Sequence, residues 1–262
     1  MRVSQSRKML KTLNVSDHPW ACEGYNAGTC GHRAHDFAHA CALAKAHGFD
    51  ATNLHAEYLH SHGPAAVQEM LEKHGLQPGA VRFPVKLTDE ATDEEFDASL
   101  QLFEQEAPLI AQSGYTVLVY HLLPWSQPRF PEKASQPFHP HFRQTVARLA
   151  RVVPILRAHG LRVGLECIGA FGLRRVRQHD FVHTIEGVRA LIASASAEGC
   201  VGLKFDVFHW HVCGGLLSEL AKLHPSEIAY VELNDGVHSN GRWSDLEVPQ
   251  QGSHHNSART LH

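Results

Sequence analysis

Residues 140–169 read PHFRQTVARLARVVPILRAHGLRVGLECIG. The stretch is helix-like to about residue 158, turns at Gly160, and continues as an apolar strand from Arg162 to Ile168. Glycine just past a helix can take the left-handed conformation that ends it, because it has no Cβ to clash. The same helix–glycine–strand junction recurs at His47-Gly48-Phe49, His74-Gly75-Leu76, Ser113-Gly114-Tyr115 and Glu198-Gly199-Cys200. The five glycines stand 27 to 46 residues apart, about one strand plus one helix each.

The strand candidates that follow this rhythm are 51–55, 80–86, 116–123, 162–168, 201–208 and 228–233, with helices over about 33–47, 64–74, 93–112, 140–158, 183–197 and 215–223. Thr92, with Glu95 three residues on, forms a capping box at the start of the third helix. Several strands are near-continuous apolar runs, as parallel strands covered on both faces are. Regular alternation implies a parallel sheet, either a closed barrel or an open doubly wound sheet. No GxGxxG or P-loop follows a strand, so the open nucleotide-binding arrangement lacks its usual support.

The bulk properties narrow the function classes. At 262 residues and 43% hydrophobic, the chain is long and apolar enough for one large barrel. A net charge of -3, with no strongly basic stretch, gives no electrostatic footprint for nucleic acid. No run of about 18 apolar residues suggests a membrane span. The first 20 residues are basic but lack the apolar core of a secretory signal. Six cysteines without a CxxC pair read as reduced thiols, hence a cytoplasmic protein. Most of the 22 histidines fall in helices and loops and read as surface residues.

In a parallel barrel, functional side chains project from the C-terminal ends of the strands. Three successive strand ends carry an acid: Glu166, Asp206 and Glu232. One such carboxylate is commonly a helix cap or part of an ion pair. Three on neighbouring strands repel unless a cation neutralises them. Carboxylates, alone or with one imidazole, suit a single divalent ion such as Mn, Mg, Co or Zn. Lys204, two residues before Asp206, should point into the barrel beside it. A buried lysine needs a partner, and Asp206, Glu166 or Glu232 would serve; a Schiff-base role is the sharper alternative. His121 is placed to line the pocket, and Arg174, Arg175 and His179 to meet an anionic or hydroxylated ligand. The bland alternatives are an ion pair of Glu166 with Arg162 or Arg174, a loop-capping Asp206, a packed His209 beside Trp210, and a Glu232–Lys204 pair.

The segments Gly164-Leu-Glu166-Cys-Ile-Gly169, His179-Asp-Phe-Val-His-Thr184, Gly202-Leu-Lys-Phe-Asp206-Val-Phe-His209 and Val231-Glu-Leu-Asn-Asp235 resemble the sugar phosphate isomerase/epimerase family, over roughly residues 35–236. That family has the xylose isomerase-like (β/α)8 TIM barrel and is related to inosose dehydratases and ketose 3-epimerases. The resemblance implies that Glu166 and Asp206 are metal ligands and that His209 contacts the substrate or supports the ligands. Family members carry a histidine ligand at the position of Glu232, where the carboxylate is expected to be the third metal ligand and to favour a harder ion, and a fourth ligand, a glutamate, on strand eight. No eighth strand is evident: after Asp235 the chain is polar and without period. The expectation is therefore a barrel over 1–240 whose eighth βα unit is missing or truncated, and an irregular tail over 241–262. The open edge could be covered in a homo-oligomer.

The expected function is a metal-dependent isomerase or epimerase, or a dehydratase, of carbohydrate metabolism. It would act on a small sugar or polyol through an enediolate-type intermediate. Glu166 and Glu232 would be the paired acid and base, and His209, His121, Arg174, His179 and Lys204 would contact the substrate. A degenerate barrel that binds a ligand or a partner subunit is the alternative. An endonuclease IV-type role would need more histidine ligands at the strand ends and a basic face.

Overall fold

The computed structural model describes residues 36–126, 136–170 and 179–233, with the backbone of 12–13, 238–239 and 242–243. Gly48, Gly75, Gly114, Gly160 and Gly199 all have φ between 62° and 90°, so the glycine junctions turn in the left-handed region. One junction differs in detail. Ser196, at φ 49°, makes the left-handed step after its helix, and Gly199 makes a second one before the next strand.

The strands are β1 (Thr12–Leu13), β2 (Ala51–Thr52), β3 (Gln77–Pro78), β4 (Val81–Arg82), β5 (Val117–Leu122), β6 (Arg162–Cys167), β7 (Val201–Asp206) and β8 (Ile228–Glu232). β1, β2 and β3 pair in parallel, as do β4 to β8 in chain order. β3 and β4 are one stretch of chain that changes partners. Gly79 donates to Thr52 and Leu54 to Ala80 on one side, and Phe83 donates to Val119 on the other. This sequential, all-parallel order is that of a TIM barrel, not of a doubly wound sheet, whose order reverses. A short antiparallel ladder, β9 (His238–Ser239) with β10 (Arg242–Trp243), follows. An eighth βα unit would fall in the tail, largely outside the described residues. On β8, Val231 and the following Leu233 are exposed.

The helices are α1 (Phe37–Ala46), α2 (Ala56–His74), α3 (Asp93–Gln112), α4 (Phe138–His159), α5 (Ile185–Ser194), α6 (Val207–Val212) and α7 (Leu217–Leu220). α2 is broken at Gly63, before Pro64. The capping box at Thr92 and Glu95 opens α3. Several expectations need correction: the strands expected over 51–55 and 80–86 run only over Ala51–Thr52 and Val81–Arg82, and the helix expected over 64–74 starts at Ala56. The strand expected over 201–208 stops at Asp206, because Asp206 Oδ1 accepts the His209 N–H and starts α6 there. The helix expected over 215–223 is the single turn α7. Among the described residues, no helix is long and apolar enough to cross a membrane.

The core lies between the strands and helices and is filled by large side chains such as Phe37, Phe96, Phe103, Tyr115, Leu118, Leu156 and Leu165. Two buried polar residues of α4 hold the loop between β4 and α3. Arg148 donates to the carbonyls of Thr88 and Ala91 and to Asp93, while its guanidinium lies over Phe96. His141 is fully buried and stacked on Phe181 at 3.6 Å. Its Nε2 accepts the Asp89 N–H at 3.3 Å, so Nδ1 carries the proton toward Ser126 Oγ at 2.8 Å.

Burial, helped by the nearby Arg148 guanidinium, lowers the His141 pKa from 6.5 to about 3. Between those values the unfolded chain binds a proton that the folded chain does not, so this part of the stability is lost as pH falls from about 6.5 toward 3. The slope from this residue should approach about 1.4 kcal/mol per pH unit. Urea denaturation at stepped pH should show this decline in the wild type and a shallower one in His141→Gln.

Candidate metal centre at the strand ends

The parallel register arranges the acidic strand ends in two rows. His121 of β5 pairs with Glu166 of β6, and the β6–β7 register, continued one residue past Leu165–Leu203, sets Glu166 level with Lys204. One layer further along, Asp206 of β7 pairs with Glu232 of β8. Side chains two apart on a strand share a face, so Lys204 and Asp206 enter the same interior space. Gly164 makes room for the lysine stem: a Cβ there would sit 3.2 Å from the Lys204 Cβ and backbone nitrogen.

Lys204 lies at the centre of these groups. Its Nζ is 2.6 Å from Glu166 Oε2, 2.5 Å from Glu232 Oε2 and 3.1 Å from His121 Nε2. Glu166 Oε2 is also 2.9 Å from His121 Nε2. The other carboxylate oxygen, Oε1, faces His209 Nε2 at 3.9 Å. Glu166, Lys204, Asp206 and His209 are all buried, whereas His121 is 63% exposed and opens the cluster to solvent.

The electrostatics follow from burial and from this pairing. Burial pushes the Glu166 carboxyl up, but Lys204, His121 and His209 outweigh it and hold the group well below the usual carboxylate range. Burial pushes the Lys204 ammonium down, and Glu166 and Glu232 overcome that and raise it. Asp206 differs: burial, together with the charges of Glu166 and Glu232, pushes it up to about 7. A further cation near Asp206 would relieve that repulsion.

The donor set suits such a cation. Glu166, Asp206 and His209 each offer a ligand atom, and these atoms lie within 4.8 Å of one another. Two carboxylates and an imidazole match the chemistry of a divalent transition ion or zinc. His209 joins the acids because Asp206 caps α6, which places the residue three positions on over the cap. The end of β6 makes space for that turn. A Cβ at Gly169 would collide with the His209 carbonyl and crowd Cys213.

The expected site residues divide accordingly. Glu166, Asp206 and His209 come together, and Glu232 faces Lys204. Lys204 takes Glu166 and Glu232 as partners, two of the three carboxylates weighed for it. Arg162 bonds the carbonyls of Ile228 and Ser226, so it is not the partner of Glu166. His121 belongs to the cluster rather than only to a pocket wall. His179 is half-buried in a loop held to the β5 end: its carbonyl accepts the Ser126 N–H, beside a Trp125–Asp180 bridge. Its ring makes no hydrogen bond to the cluster among the described residues. Arg174 and Arg175 lie outside the described residues. The place of His209 among the possible ligands was the part that sequence reasoning missed. The Asp-x-x-His spacing at a strand end was the available signal, once read as a helix cap.

The family model described as xylose isomerase-like TIM barrel matches residues 41–259. Among solved structures, a xylose isomerase domain protein from Alicyclobacillus acidocaldarius superposes with a TM-score of 0.70 at 24% identity, covering 88% of this chain and 75% of that one. The IolI protein, solved with a zinc atom, gives 0.64 at 18% identity, covering 88% and 74%. An L-ribulose 3-epimerase gives 0.59 at 16% identity, covering 89% and 74%. These likenesses establish the fold. No curated protein matches the chain significantly.

Two substitutions probe this geometry. Glu166→Leu leaves the Lys204 ammonium buried with one carboxylate fewer and should cost about 3–5 kcal/mol in chelator-treated protein. Gly169→Ala should cost about 1–3 kcal/mol by forcing α6 away from the end of β6. Urea denaturation reads both; unchanged midpoints would contradict the packing described.

Proposed function

The chain belongs to the xylose isomerase-like TIM barrel family, and from that premise we propose that it is an isomerase or epimerase acting on a small sugar or polyol. The observation that carries the reading is the buried group of Glu166, Asp206 and His209, with ligand atoms within 4.8 Å of one another, at the end of the barrel where such chemistry is done. The zinc in the IolI structure and the epimerase named among the structural relatives support it.

Glu166, Asp206 and His209 would hold one divalent ion, of the Mn, Mg, Co or Zn kind. When bound, the ion supplies Lewis acidity toward a substrate carbonyl or hydroxyl oxygen. Glu232, a quarter exposed, would move the carbon-bound proton, with Glu166 as the other member of an acid/base pair. Lys204 holds both carboxylates in place, and its charge helps keep Glu166 ionised. His121, at the exposed side, would meet the hydroxyl groups of the substrate, and Arg174 and His179 would extend that contact from the following loop. Dehydration is the neighbouring outcome, if the enediolate-type intermediate expels a hydroxyl group instead of regaining a proton. A cytoplasmic setting is part of this reading, on six cysteines scattered through the sequence without a CxxC pair.

A second reading draws on the Lys204 contacts. An ammonium already bonded to Glu166 and Glu232 could supply all the positive charge, in a barrel that binds a ligand without turning it over.

The separating experiment uses ketoses, aldoses and inososes in deuterated buffer with protein reconstituted in Mn, Co or Zn. Proton NMR should show deuterium entering one carbon position beside the carbonyl, with the rate reduced at least roughly a hundredfold in Glu232→Gln, the scale expected when an acid/base group is removed. Absence of exchange across the panel would exclude the isomerase reading and leave the binding one.

A further inference from the structure

The isomerase reading gives Lys204 a holding role and leaves open what its charge does to the metal site. Its ammonium faces two carboxylate oxygens, Glu166 Oε2 and Glu232 Oε2, with His121 Nε2 3.1 Å away. Its side chain is 2% exposed, and its stem lies against Gly164. It is therefore a fixed internal counter-ion and not a mobile arm. A charged amine with its donors so engaged is no nucleophile, which removes the Schiff-base alternative.

The charges set the consequence. With the His121 and His209 imidazoles neutral, as a metal ligand must be, Glu166, Asp206 and Glu232 at full ionisation carry three negative charges against the single positive charge of Lys204. The surplus is two, the charge of one divalent ion. The two oxygens of Glu166 have different neighbours: Oε2 meets Lys204 and His121, and Oε1 faces His209 Nε2 at 3.9 Å.

We propose that Lys204 and Glu232 act as one electroneutral unit, so that the divalent ion takes Glu166, Asp206 and His209 as its protein ligands while Lys204 sets how tightly the site holds it. The inference deepens the proposed function and rests on its metal site. Glu232, neutralised by the ammonium, is then left as a group for proton transfer and not as a ligand. Removing the ammonium raises the surplus to three charges and strengthens binding. Removing the Glu232 charge lowers it to one and weakens binding. Removing both restores two.

The test is a charge cycle on the full-length chain. Protein stripped with chelator is titrated calorimetrically with Mn and Zn, comparing wild type, Lys204→Met, Glu232→Gln and the double variant. Cobalt absorption spectra of each report the ligand set without reference to activity. The expected result is roughly tenfold or more tighter binding in Lys204→Met and a comparable weakening in Glu232→Gln, as close charges in a partly desolvated site predict. The double variant should return to near the wild-type affinity with an unchanged cobalt spectrum. Circular dichroism checks folding. Should Lys204→Met fail to fold, the weakening in Glu232→Gln and its reversal in the double variant decide the matter.

Loss of binding in Glu232→Gln with no recovery in the double variant, or a changed cobalt spectrum, would make Glu232 a ligand and overturn the inference while the isomerase reading stands. Equal affinities in all four proteins would also overturn it. Binding by Lys204→Met but not by wild type would uphold the control by Lys204 and remove the metal-dependent reading of the natural chain. No binding by any of the four would remove both.

Discussion

Three carboxylates and one ammonium share the end of this barrel, and the surroundings are arranged around the repulsion that remains. Glu166 and Lys204 satisfy each other at 2.6 Å, and Glu232 closes on the same ammonium at 2.5 Å. Asp206 is the group whose ionisation stays costly, its pKa pushed up to about 7 by burial and by its acidic neighbours. A buried acid cluster with a residual negative charge is a poor device for stability, because the desolvation of each charge must be offset. It is a good device for holding a cation.

The fold turns a repeated local signal into that arrangement. Parallel pairing in chain order sets His121 beside Glu166, and Asp206 beside Glu232. No single strand could place four such groups within reach of one another. Termination of β7 matters as much as its register. By accepting the His209 N–H at 3.0 Å, Asp206 converts the strand into a helix one residue later and brings a buried imidazole to the acids. Gly164 and Gly169 contribute by what they omit: one leaves space for the lysine stem, the other for the first turn of α6.

Much of this was legible in the sequence. The glycine junctions at 48, 75, 114 and 160 marked helix ends, because few other residues take the left-handed conformation cheaply. Glu166, Asp206 and Glu232 stood out as acids ending apolar runs, and Lys204 as a lysine with no solvent to face. Pairwise choices were not legible. Which carboxylates Lys204 would take depends on a register shift between β7 and β8 at Leu203–Lys204, which no local pattern announces. His209 could be read as extending a strand until the Asp206 cap was seen, since an apolar run such as Val207-Phe208 fits either element. Arg174 and the expected eighth βα unit fall on residues whose placement is not described.

The most direct measurement is a crystal structure of the chain grown with manganese or zinc, with anomalous scattering used to locate the ion. The account predicts one peak bounded by Glu166 Oε1, Asp206 and His209, with Lys204 Nζ still bonded to Glu232. A peak ligated by Glu232 with Lys204 turned aside, or no peak at the strand ends, would contradict it.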